Sequence, residues 1–268
     1  DWLMINARGF DVDIVEDTHD VAGLAVQGPT SFAVLRNLDL PGLGELTPFG
    51  LMTFDFEGTE LMVSRTGFTG DLGYELWIDP EHAETLWDRL FEAGELHGIK
   101  PMGSDALEML RIEAGFILAG ADFSPAMHTV RHGNTRSPFE LGLGWLVDFK
   151  KPVFNGRRAL QAEKENGSRY ALVKLDIEDN KPAQSAYVYD TRERRIGWVT
   201  SALWSPSAKK NIALATVDAA QAKPGTRMLV EIYYQRELAW HRKMAKAEVV
   251  KDAFWDPPRR RATPPGDF

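Results

Sequence analysis

The stretch Ser64-Arg65-Thr66-Gly67-Phe68-Thr69-Gly70-Asp71-Leu72-Gly73-Tyr74-Glu75-Leu76-Trp77-Ile78 constrains this chain most. Its three glycines, Gly67, Gly70 and Gly73, fall within seven positions and rule out both a helix and a regular ladder there. Glycine in such a loop supplies positive φ or lets backbone and ligand approach closely. From Tyr74 to Ile78 the composition predicts a strand, with Tyr74, Leu76 and Ile78 on one face and Glu75 and Trp77 on the other. Glu75 is a carboxylate on a strand that is otherwise apolar.

A second misfit lies in the segment 104–118. Leu107, Leu110, Ala114, Ile117 and Leu118 recur at helical spacing, and Arg111 borders that stripe. An arginine pressed towards a core needs a carboxylate or a planar polar ligand, because an unpaired buried charge is costly. Glu75 and Arg111 can share one polar pocket. A structural Glu–Arg pair, or an arginine reaching out to water, satisfies the same spacing.

Composition narrows the classes. The 268 residues suffice for two domains, and 44% hydrophobic with 26% charged residues is ordinary for a globular chain. No apolar run is long enough to span a bilayer. A formal net charge of −8 argues against nucleic acid as a partner. Cysteine is absent, which excludes disulfides and thiolate chemistry and suits a cytoplasmic location. His128 and His132 are four apart, but their Gly-, Ser-, Thr- and Pro-rich surroundings read as a solvated connection, so no metal is expected.

Residues 2–15 read as one strand and a loop, and Leu24 to Val26 as a short buried strand before a helix capped by Thr30 or Ser31. Residues 51–56 and 59–64 form a hairpin around Glu57-Gly58. A helix then follows Asp79-Pro80, with Leu86, Trp87, Leu90 and Leu96 on one face. From Tyr170 six short strands are separated by turns, as in a small barrel or sandwich. Trp198 alternates with Ile196 and Thr200 as a packing residue, whereas Trp204 falls in a loop and can line a cleft. The Arg- and Pro-rich tail reads as an extended solvated end.

The residues 64–76 resemble the signature of the aminomethyltransferase family, the glycine cleavage T-protein and its relatives. Leu110-Arg111-Ile112-Glu113-Ala114-Gly115, Gln27-Gly28-Pro29, the 138–145 run, Phe154-x-Gly156-Arg157 and Val199-Thr200-Ser201 follow in that family's order. The resemblance implies an α+β fold: a ferredoxin-like α/β layer followed by a small C-terminal antiparallel β-barrel. Residues 1–21 would end a truncated N-terminal region, 22–140 would form the folate-binding domain, and 141–268 the barrel with its tail. The chain opens on Asp1-Trp2-Leu3 and reads as the middle of a fold. In the family the catalytic aspartate precedes this point, so no catalytic residue is nominated.

The cofactor implied is tetrahydrofolate, whose pterin offers an amide–amidine edge that a carboxylate can match with two N–H bonds. The resemblance assigns Glu75 to that edge, Arg111 to the family's arginine and Phe68 to its loop tyrosine; Trp204, from its place in a loop, is the further candidate for binding the cofactor. Phe68 lacks the tyrosine's hydroxyl, Ala119 stands where the family has an aromatic residue, and Gln184 replaces an arginine. These departures point away from the glycine-cleavage substrate, and Gly9-Phe10-Asp11-Val12-Asp13-Ile14 with Trp204-Ser205-Pro206 resembles the branch of folate-dependent demethylases. The expected activity is one-carbon transfer, aminomethyl or methyl, from a small amine or methylated compound. Beyond that small molecule, the partners considered are a second copy of the chain or a carrier protein. A folate-binding protein without transferase activity remains open, although its Lys-Gly-Cys-Tyr motif is missing at Lys151-Pro152-Val153-Phe154. An inactive fragment also remains open.

Overall fold

In the computed structural model residues 2–266 are described. They fall into two compact units: one runs from the start through Pro101 and includes the segment from Pro257 on, and the other is Met102–Asp256.

The first unit opens with a short helix, α1 (Trp2–Asn6), where the sequence pattern had predicted a strand. The capacity for a helix is local: Asn6 Nδ2 donates to the Trp2 carbonyl at 2.8 Å, closing the turn. The strands β1 (Ala22–Gln27), β2 (Leu51–Phe56), β3 (Thr59–Ser64) and β4 (Gly73–Ile78) make an antiparallel sheet in the order β1-β4-β3-β2. The β2–β3 hairpin turns at Glu57 and Gly58, both with positive φ (53° and 87°), as a two-residue turn between twisted strands requires. The helices α2 (Ser31–Arg36) and α3 (Ala83–Gly94) cover one face of the sheet, and the Asp79 carboxylate caps the approach to α3 by accepting from Glu81 N at 2.8 Å.

Tyr74, Leu76, Leu61 and Val63 are buried on the covered face with Leu35, Leu86 and Leu90, each side chain contributing about 1.5–3 kcal/mol relative to exposure. The stripe of α3 is narrower than the spacing suggested. Trp87 is 44% exposed, and Leu96 lies beyond the end of the helix at 95% exposure.

The second unit holds α4 (Ser104–Glu113), α5 (Arg157–Asn166) and six strands: β5 (Tyr170–Ile177), β6 (Tyr187–Tyr189), β7 (Arg195–Ser205), β8 (Lys210–Asp218), β9 (Arg227–Arg236) and β10 (Ala239–Val250). They close into an antiparallel barrel in the order β10-β5-β8-β7-β6-β9. The α+β architecture with its terminal barrel is the expected one. The second unit begins ahead of α4. Ile112 packs with Ile212, Leu214 and Leu203 of β7 and β8, which ties the helix to the barrel.

Two local expectations change. Trp204 lies within β7, paired with Asn211, and not in a loop after it. Trp198 packs outside the barrel core: its ring meets Tyr170 edge-on at 5.8 Å, and Arg136 sits 5.2 Å from its centroid. The 120–138 connection is built of bridges and short turns, and His128 is exposed. The side chain of His132 lies outside the described residues. Among the described residues no cluster of His, Cys, Asp or Glu suits a metal ion, and no helix is long and apolar enough to cross a membrane.

Candidate functional site

On β4 the alternation is as the sequence pattern requires: Tyr74, Leu76 and Ile78 are buried against the helices, and Glu75 and Trp77 point from the other face. Register places Ala25 of β1 and Ser64 of β3 on either side of Glu75, and Gly23 and Met62 on either side of Trp77. Small residues on β1 leave the face beside Glu75 and Trp77 shallow. The carboxylate is half-buried, and the Thr66 hydroxyl donates to its Oε2. Ser64 Oγ lies 2.5 Å from Thr66 Oγ1 and completes a short hydroxyl relay. Among the described residues Oε1 takes no hydrogen bond. The result is a fixed anion with acceptor capacity to spare, next to an indole.

The glycine loop is shaped from within by Gln27. Its amide donates to the carbonyls of Thr66 (3.3 Å) and Tyr74 (3.1 Å) and accepts from Thr69 Oγ1 (3.1 Å). A Cβ on Gly67 or on Gly73 would lie 2.0 Å from Gln27 Oε1. A side chain at either glycine would therefore displace the Gln27 amide, while Gly70, with φ 76°, supplies the left-handed turn. Phe68 sits half-buried within this loop. Sequence reasoning named Phe68 and Glu75 but passed over Gln27 and Trp77. The period-two alternation that singled out Glu75 puts Trp77 on the same face, so that signal was present.

Arg111 belongs to the second unit and is fully buried there. Nε and Nη2 both donate to the Glu108 carboxylate, Nε at 2.9 Å. Nη1 reaches Asp122 Oδ2 (2.5 Å) and the Phe116 carbonyl (3.1 Å), and Nη2 also reaches Ser201 Oγ (2.7 Å). Burial alone would push the guanidinium down, but the hydrogen bonds and charges of Glu108 and Asp122 outweigh it and hold it up. Asp122 is equally enclosed, accepting from Leu118 N (2.9 Å), Thr200 Oγ1 (2.6 Å) and Ser201 Oγ (2.7 Å) besides Arg111. The carboxylates that pair with Arg111 are thus Glu108 and Asp122 of its own unit, and not Glu75.

Two positions further along α4, Glu113 accepts from Ser205 Oγ at 2.5 Å. Trp204, 46% exposed, precedes Ser205 and shares its face of β7 with Ala202, which packs against the barrel core. The strand that carries Trp204 is therefore fastened to α4 at Ser201 and Ser205.

Residues 1–151 match the family model described as the GCVT N-terminal domain, and residues 171–256 match the glycine cleavage T-protein C-terminal barrel domain. The chain belongs to the glycine cleavage T-protein family. A trimethylamine-oxide aldolase of Ruegeria pomeroyi is 40% identical over 273 residues, covering 97% of this chain and 33% of the aldolase. An aminomethyltransferase of Desulfitobacterium hafniense is 32% identical over 254 residues, covering 95% of this chain and 65% of that enzyme. The crystal structure of the glycine cleavage system aminomethyltransferase T from Bartonella henselae superposes with a TM-score of 0.79 at 27% identity, covering 95% of this chain and 64% of that one. The chain thus spans a third of the aldolase and just under two thirds of the T-proteins.

Proposed function

We propose that this chain carries the tetrahydrofolate site of a one-carbon transferase whose donor is a small methylated amine. The observation that carries the reading is Glu75: a half-buried carboxylate, oriented by Thr66, with Oε1 still able to accept. The residues fit the cofactor on that ground. A pterin edge presents parallel N–H donors, which a carboxylate accepts and an amide cannot match. Trp77 and Phe68 are ring faces on the same strand and its leading loop, suited to a flat heterocycle. Tetrahydrofolate supplies the amines that take up a one-carbon unit. The protein holds the ring in one orientation, with the Glu75 side chain set against its edge by Thr66.

Arg111 enters this reading as a positioning residue. Its donors are occupied by Glu108, Asp122, Phe116 and Ser201, so its part is to hold α4 against β7, the strand that bears Trp204. The donor class is supported by the 40% identity to a protein named for trimethylamine oxide, which favours a methylated amine over glycine.

Calorimetric titration with tetrahydrofolate tests the site. Wild type should bind, and Glu75→Gln should bind about a hundredfold or more weakly while melting at the same temperature, because two charge-assisted hydrogen bonds are lost. Unchanged affinity in the folded variant removes Glu75 from the site. Incubation with tetrahydrofolate and trimethylamine oxide, followed by mass spectrometry of the folate, tests the donor class. A one-carbon-loaded folate supports it.

A further inference from the structure

We propose that the C-terminal segment Pro257–Pro265 is a strap that sets the geometry of the glycine loop, with Arg65 and Arg259 as positioning residues for Phe68 and Glu75. The inference rests on the folate reading for its consequence, but the strap itself stands on contacts within the first unit. The segment is not the solvated end that its composition suggested: Pro257 and Pro265 are buried.

The two ends of the loop are both held by this one segment. At the leading end, Arg65 is only 4% exposed. Its Nη1 donates to Thr263 Oγ1 and to the Leu46 carbonyl, each at 3.0 Å. Its Nη2 donates to the carbonyls of Ala262 (2.6 Å), Arg260 (3.2 Å) and Arg259 (3.5 Å). At the trailing end, Arg259 forms a two-point ion pair with Asp71, Nε to Oδ1 at 2.7 Å and Nη2 to Oδ2. Asp71 Oδ1 also accepts from Leu72 N at 2.7 Å, so the pair fixes the backbone where the loop becomes β4. The side chains of Arg259 and Asp71 are 20% and 11% exposed, too enclosed for solvent to screen the pair as it would at the surface.

The link to the site is one residue long. Arg65 donates to the strap, and the hydroxyl of its neighbour Thr66 orients Glu75. Phe68 lies between the two pinned ends. Without the strap, Arg65 would retain the Leu46 carbonyl as its acceptor, and a charge short of acceptors in a buried place drives local rearrangement. A loop ordered in advance binds a ring without the entropy loss of ordering it at that moment.

Hydrogen exchange over residues 66–73, read beside tetrahydrofolate affinity and melting temperature, tests the strap in Arg259→Asp, Asp71→Arg and the double exchange. Each single variant should speed exchange in that segment more than in the rest of the sheet and weaken tetrahydrofolate about tenfold, read at a temperature well below the variant's own melting point. The charge-swapped double should restore both. Arg259→Ala supplies a milder form of the same loss. Exchange at wild-type rates in the single variants overturns the proposal, as does a uniform rise across the sheet or a double that restores nothing. If wild type does not bind tetrahydrofolate while the loop still responds and is rescued, the strap stands and the folate reading falls.

Discussion

Glu75 and Arg111 are the two charged residues that break an apolar pattern, one in each unit, and the structure treats them in opposite ways. Arg111 is sealed, with Glu108, Asp122, Phe116 and Ser201 consuming its donors inside its own unit. Glu75 is held by one hydroxyl on one oxygen and faces out of the sheet. A misplaced charge in a sequence therefore carries two meanings that spacing does not separate. What separates them is unused hydrogen-bonding capacity: a saturated group stabilises its surroundings, and an unsaturated one at the surface is available to a ligand.

The largest effect expected from this contrast is on stability. Arg111→Met should destabilise the second unit by about 3–5 kcal/mol, because Asp122 is left buried and short of a counter-charge. Denaturant titration followed by barrel tryptophan fluorescence reads this directly. A loss under about 1 kcal/mol would show that other donors compensate for Arg111 at Asp122 and that the pair is dispensable. Replacing Arg111 and Asp122 together by apolar residues should cost less than Arg111→Met alone, as removing both partners leaves no orphaned charge.

Much of this architecture was legible in the sequence because its signals are local. The β2–β3 hairpin falls on the predicted residues, since Glu57-Gly58 is a turn dipeptide between two runs of strand formers. The barrel strands were found for the same reason, although β7 and β10 run longer than their apolar cores, continuing as paired backbone through polar residues such as Arg195 and His241. The face of Glu75 followed from period-two alternation. Long-range pairings were not legible. Nothing near Asp122 in sequence announces that Thr200 and Ser201 will meet it, and Arg259 is 188 positions from Asp71. The packing of α4 is of the same kind: it follows the sheet in sequence but packs on strands that come later.

A smaller effect sharpens the comparison from the Glu75 side. Gly67→Ala and Gly73→Ala each place a Cβ where the Gln27 amide lies, and that flexible amide must swing away. Its bonds to Thr66 O, Tyr74 O and Thr69 Oγ1 are then lost, at about 1–2 kcal/mol after water replaces some of them. Neither glycine has positive φ, so the cost is one of space, and adding Gln27→Ala should recover most of the packing strain in either variant. A double-mutant cycle by thermal unfolding measures this. Full additivity would mean that Gln27 and the glycines do not act as one clamp.

The smallest effect concerns the residue behind Glu75. Tyr74 points into the core on the opposite face of β4, fully buried, and its hydroxyl has no hydrogen-bond partner among the described residues. Burial pushes the phenol up to about 12, against an opposing pull from the Arg65 charge. An unfolded tyrosine ionises near pH 10, so between about pH 10 and 12 the unfolded chain releases this proton first. The raised phenol thus contributes stability that is present below pH 10 and is lost as pH climbs through the folded value. Tyr74→Phe should be neutral or stabilising by up to about 1 kcal/mol at pH 7, because a desolvated hydroxyl is removed. Its stability should also fall less steeply on the alkaline side, by at most about 1.4 kcal/mol per pH unit relative to wild type. Urea midpoints of the two proteins at pH 7 and pH 11 give the difference without interference from the remaining tyrosines. Equal alkaline slopes would place water or another partner on that hydroxyl, making Tyr74 as well satisfied as Arg111 and leaving Glu75 as the one group on this strand with capacity to spare.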